Sequence, residues 1–276
     1  MKLLAYLATI VCGNLVATLH KTELDAFAKK VVEGVNNAQG LYYATDIGTQ
    51  VNPEVVCDAA RDFSSKMGVL NDLYYIVGFH MTEVSAKCHR QLPKLEDHEE
   101  IKKVIETPTN MRELYQGIIV SDALEHPYSA EAKIDALIEL AKADDSVMAG
   151  SLAILSAVAM WGKNKELDLE RVLAVIDMDD LFAQADMVDS QVSFNGDVAV
   201  TAFFVQAAFA LSEYKDASQL SNDKLIGFGN FIAAGVRPVT AQESYYYVKL
   251  ANMLSAGKYG GVVRVSLVHN RPIFSV

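Results

Sequence analysis

Two stretches of this chain carry no charge: VMAGSLAILSAVAMW, fifteen residues from Val147 to Trp161, and VAVTAFFVQAAFAL, fourteen from Val198 to Leu211. A helix that is hydrophobic all round belongs either in a protein core or across a membrane. Crossing a bilayer takes about 20 apolar residues, so both runs fall short. Lys163 and Lys165 close the first run; Glu213 and Lys215 close the second. The first is rich in Ala, Gly and Ser, which lets helices approach closely. Both read as inner helices of a soluble helical domain, with a more polar layer wrapped outside.

The rest of the chain supports that layering. Pro53–Lys66, Asp97–Ile105, Ala130–Lys142, Leu167–Ile176 and Asn222–Ala234 have the spacing of amphipathic helices. Leu70–Val84, Arg112–Leu124, Val147–Trp161, Val198–Tyr214 and Ser244–Ser255 are apolar or rich in small residues. The apolar set recurs every 35 to 50 residues or so, each member preceded by an amphipathic one, which is the rhythm of stacked helical hairpins. The predicted fold is therefore mainly α, an αα-hairpin repeat of solenoid or toroid-like form, although no residue-level repeat motif is visible. Asn52-Pro53 reads as an N-cap with Pro at the first helical position, and Asn110–Glu113 and Thr240–Glu243 read as capped helix starts.

The two ends differ from this middle. Residues 1–17 carry Lys2, an apolar core and small residues toward Ala17, the pattern of a secretory signal peptide. Residues 18–257 form the helical domain. Beyond Gly260-Gly261, Val263, Val265 and Leu267 alternate with Arg264 and Ser266, so 258–276 read as the beginning of a β-rich domain that the sequence leaves unfinished.

The net charge of −11 argues against nucleic acid, whose phosphates need a basic face. Of three cysteines, Cys12 leaves with the signal peptide, and Cys57 and Cys88 remain. In the secretory route that pair can close one disulfide, stabilising by about 3.5 kcal/mol in the chain-entropy model. Two buried thiols are the alternative, and spacing does not decide between them.

Chemistry is sparse. Asp177-Met178-Asp179-Asp180 forms a D-x-D-D string, which in class II terpene cyclases supplies an alkene-protonating acid on a helical αα barrel. A helix start explains the same residues, because carboxylates favour a helix N-terminus. An EF-hand fails, since Leu181 and Phe182 stand where an oxygen ligand and Gly belong. Asp186, Asp189, Asn195 and Asp197 read as a solvated acidic loop. His80, His89 and His98 lie nine residues apart, which is no ligand spacing. Tyr245-Tyr246-Tyr247 reads as core packing, with a groove lining as the alternative. No catalytic residue, metal ligand or cofactor site is assigned, and no cofactor is expected.

Four stretches together resemble the N-terminal luminal region of the ribophorin II family, a subunit of the oligosaccharyltransferase complex. They are Leu19–Leu24, the Cys57/Cys88 pair around Leu73-Tyr74-Tyr75, the apolar helix Val198–Tyr214, and the helix-to-strand passage Ala251–Val268. The resemblance implies a non-catalytic structural subunit in the endoplasmic reticulum that supports protein N-glycosylation. Its implied partners are the other subunits of the complex, the catalytic one included. It further implies a chain continuing into more β-structure and membrane helices. A sequence ending at Val276 then reads as a fragment or as a departure in membrane anchoring, with attachment through missing segments or partner subunits. Two other readings stay open: an αα-barrel enzyme using Asp177, Asp179 or Asp180 as acid on an isoprenoid or glycan, and a secreted helical binding protein.

Overall fold

The computed structural model describes residues 21–47, 52–88, 98–215, 219–234 and 240–256. The signal peptide and the terminal strands expected from sequence lie outside them, as does His89. Among the described residues the chain is mainly helical: α1 (Lys21–Glu33), α2 (Ala38–Asp46), α3 (Pro53–Ser65), α4 (Leu70–His80), a 3-10 turn (Ser85–Cys88), α5 (Glu99–Glu106), α6 (Met111–Ala123), α7 (Ala130–Ala143) and α8 (Val147–Lys163). Then follow α9 (Glu170–Leu173), α10 (Met178–Phe182), the hairpin β1 (Asp186–Val188) and β2 (Gln191–Ser193), α11 (Val198–Lys215), α12 (Asn222–Ala233) and α13 (Ala241–Ala256).

Sequence dictates most of these boundaries. Asn52 accepts the Glu54 N–H with Pro53 at the first position, and Ser129, Ser146 and Ser221 cap their helices in the same way. Thr240 and Glu243 form a reciprocal capping box, with bonds of 2.8 and 3.1 Å. Asn110 accepts from Glu113 N, while the Glu113 carboxylate reaches back to Thr109.

The helices close into a toroid. Six of them pack as neighbours in the order α2, α4, α6, α8, α11, α13, and α13 returns to α2. Outer helices bridge successive inner ones: α1 spans α13 and α2, α3 spans α2 and α4, α5 spans α4 and α6, and α7 spans α6 and α8. The two uncharged runs lie in α8 and α11, whose mutual packing is the most extensive between helices of the described residues. Nearly every residue of α8 from Val147 to Ala157 is buried. Its serines cost little there, since Ser151 and Ser156 each donate to the carbonyl four residues back at 2.7 Å. No helix among the described residues is long and apolar enough to cross a membrane.

Two expectations are corrected. Leu167–Ile176 is not one helix: only Glu170–Leu173 is helical, and a second helix starts at Met178. The reason is local. Asp168 accepts the Glu170 N–H at 2.9 Å and Asp177 accepts the Asp179 N–H at 2.6 Å, so each restarts the backbone instead of continuing it. The acidic loop at Asp186–Asp197 is instead a β-hairpin packed on α12 through β2. Asp189 and Ser190 both adopt positive φ (50° and 64°), the requirement of a tight hairpin turn. Asp197 caps α11 by accepting from Ala199 N at 2.7 Å and Val200 N at 3.1 Å.

Candidate functional site

The axis of a helical toroid is where a ligand would enter, and here it is filled by tyrosine. Tyr42 and Tyr43 of Leu41-Tyr42-Tyr43 on α2, Tyr74 and Tyr75 of Leu73-Tyr74-Tyr75 on α4, and Tyr245 and Tyr246 on α13 point inward, joined by Tyr115 of α6. The two Leu-Tyr-Tyr triplets occupy equivalent places on successive inner helices. They are the residue-level repeat that a search by periodicity overlooks. Tyr245-Tyr246-Tyr247 is buried, as core packing requires, but its first two rings also face the axis.

The rings interlock at short range. Tyr43 stacks on Tyr245 with centroids 3.8 Å apart and planes 10° apart. It meets Tyr75 and Tyr246 edge-on at 5.7 and 5.8 Å, and Tyr74 contacts Tyr75 and Tyr115 at 5.1 and 5.9 Å. Such pairs contribute about 0.5–1.5 kcal/mol each beyond area burial. Polar bonds fix the register. Tyr245 donates to Asp46 Oδ2 at 2.6 Å, and Lys249 Nζ reaches Asp46 Oδ2 at 3.3 Å and Tyr245 Oη at 2.9 Å. These contacts join α2 to α13 across about 200 residues of sequence and close the ring.

Burial raises the pKa of all seven axial phenols, because a phenolate would lose its hydration there. They remain neutral hydrogen-bonding groups and do not act as bases near neutral pH. Gly78 is part of the same packing: a Cβ at that position would come within 2.8 Å of the Tyr42 ring.

The tyrosine layer leaves an opening on either side. One is a narrow cleft of about 70 Å³ beside Arg112, Gln116, Phe203 and Gln206. The other is an open groove of about 880 Å³ at the C-terminal ends of α2 and α4, edged by Met81, Glu83 and Lys87. Tyr42, Tyr74 and Tyr115 line both, so they form the partition between them.

The cysteines lie at the rim of this region. Cys57 of α3 and Cys88 of the 3-10 turn are bonded, with Cα atoms 5.4 Å apart, and tie the outer helix to the chain leaving α4. The acidic string lies elsewhere. Asp177, Asp179 and Asp180 are all exposed at the start of α10, outside the ring. Asp179 pairs with Lys224 at 2.9 Å, and its side chain is 87 % exposed. The structure gives Asp177 a capping role and Asp179 a surface pair, as the helix-start reading of the string expects, and leaves Asp180 exposed in the first turn; none of the three reaches the axis. Among the described residues no three His, Cys, Asp or Glu side chains are grouped to hold a metal ion.

No curated protein matches the chain significantly. The profile of a protein family does match, over residues 17–255, and that family is the Ribophorin II N-terminal domain.

Proposed function

The chain belongs to the ribophorin II family, and from that premise we propose that it is a non-catalytic structural subunit of the oligosaccharyltransferase complex, supporting N-glycosylation in the endoplasmic reticulum. The observation that carries the non-catalytic part is the filled axis. Ligand pockets usually span about 300–1,000 Å³. The cleft on the Arg112 side offers about 70 Å³, too little for an isoprenoid or a sugar chain, because the tyrosines occupy the rest. The large groove on the opposite side contains Asp46, but that carboxylate is committed to Tyr245 and Lys249. What remains is a rigid ring with a broad outer surface, suited to holding other subunits, the catalytic one among them, in place.

Luminal placement agrees with the disulfide, which persists in an oxidising compartment. In this reading residues 1–17 are removed on translocation, and recovery of intact Met1 by N-terminal sequencing would contradict that step.

Affinity purification from microsomes, followed by mass spectrometry, tests the reading. The oligosaccharyltransferase subunits should co-purify, and depletion should lower N-glycan occupancy. A variant carrying Asn at 177, 179 and 180 should restore occupancy fully. Rescue failure by a variant that folds and assembles would return the acid chemistry to consideration.

A further inference from the structure

The cleft on the Arg112 side carries hydrogen-bond donors that the fold does not use. Gln39 Nε2 donates to Tyr43 Oη at 2.7 Å and to Tyr75 Oη at 3.0 Å. Tyr43 donates in turn to Tyr246 Oη at 3.3 Å, and Tyr75 Oη lies 3.4 Å from Tyr43 Oη. Each phenol has a single proton to give. That of Tyr43 goes to Tyr246, and that of Tyr75 has Tyr43 as its acceptor. The proton of Tyr246 has no acceptor within the network, and its ring, 7 % exposed, lines the cleft.

Arg112 lines the same cleft. Tyr75, Tyr246 and Arg112 all line this one narrow cleft, so the guanidinium and the two phenols border the same small space. Among the described residues it pairs with no carboxylate. A guanidinium fork next to a free phenol O–H matches a planar, two-oxygen acceptor. At about 70 Å³ the cleft is well below the roughly 300–1,000 Å³ of ordinary ligand pockets, so it suits one small group of a larger ligand, such as a carboxylate. The remainder of such a ligand must lie across the rim, where Gln206 and Gln242 offer amides and Phe203 an apolar face.

We propose that this cleft receives one carboxylate from a partner polypeptide, an Asp or Glu side chain held by Arg112 and the Tyr246 hydroxyl. The net charge of −11 disfavours an acidic stretch by long-range repulsion, so the recognised group is a single carboxylate in otherwise neutral surroundings. The carboxylate chemistry stands on these residues alone; that the carrier is another subunit rests on the structural-subunit reading.

The test is an NMR titration of the purified full chain labelled with ¹⁵N-arginine, following the Arg112 Nε–H resonance. The probes are N-acetyl-glutamate N-methylamide, its glutamine counterpart and inorganic phosphate. The glutamate compound should shift the resonance saturably, the glutamine compound should not, and Tyr246→Phe should weaken the response about tenfold. Arg112→Met, a change at an exposed residue, should abolish the saturable response of the neighbouring backbone amides to the glutamate compound while the thermal melt stays within a few degrees of the parent. No response to glutamate, an equal response to glutamine, or tighter binding of phosphate would each overturn the proposal. None of these outcomes bears on whether the chain co-purifies with the complex, so the two readings fail separately.

Discussion

Between α8 and α11 the ring is held by Ala, Leu, Ile and Phe side chains with no ion pair among the described residues, whereas between α13 and α2 it is held by stacked tyrosines, a carboxylate and a lysine. The contrast follows from position in the chain. Helices α8 and α11 are separated by about 35 residues and folded together by the chain itself, so non-directional burial is enough to pair them. Helices α2 and α13 meet only when the ends of the domain come together, about 200 residues apart. A contact between segments this far apart in sequence gets no register from a short connection, and directional bonds fix it where apolar surface would allow sliding. The two sides of one ring thus use burial for cohesion and a polar aromatic seam for closure.

Alkaline pH should separate the two sides most strongly. Each axial phenol has its folded pKa raised above the unfolded value of about 10. Its contribution is therefore fully present below about pH 10 and is lost as pH rises through the folded value. Seven such groups give a loss on the order of 10 kcal/mol per pH unit above 10 if all stay protonated in the folded state. Denaturant unfolding followed across pH 8 to 11 should show a plateau and then a steep fall; a flat profile would mean the rings are not buried.

The apolar side is probed by charge. Ala157→Asp places an unpaired carboxylate at a position 1 % exposed, and it should destabilise by about 4 kcal/mol or more. A thermal melt matching the parent would show that α8 is not an inner helix. Next in size is the disulfide. Replacing Cys57 and Cys88 together by Ala should cost about 3.5 kcal/mol, read as a lower urea midpoint, with the seam intact.

Legibility follows the same division. The inner helices could be read because fifteen uncharged residues admit few alternatives, and the caps at Asn52, Asn110 and Thr240 could be read because they are local. The seam could not. Tyr42, Tyr43, Tyr74 and Tyr75 look like ordinary core aromatics until ring closure brings α13 against them, although the repeated Leu-Tyr-Tyr was available as a signal. The hairpin at Asp186–Ser193 was hidden because its turn uses Asp189 and Ser190 in place of the usual glycine. The acidic string was legible as a helix start, since Asp177 accepts from the Asp179 N–H, whereas its pairing with Lys224, 45 residues away, was not.

The smallest expected effect comes from that string. Neutralising Asp177, Asp179 and Asp180 to Asn should change stability by no more than about 1 kcal/mol, since Asn also caps helices and the Lys224 pair is exposed. A loss several times larger would mean that the α10 start bears on the ring after all.

The claim that an aromatic and polar seam closes the ring is tested most directly by a double-mutant cycle between its two ends. Asp46→Ala and Tyr245→Phe would be measured singly and together by urea unfolding. The 2.6 Å bond between them predicts a coupling energy of about 1–2 kcal/mol between residues 199 apart in sequence. Additivity within about 0.5 kcal/mol would contradict the account, leaving α13 and α2 as neighbours that do not hold each other.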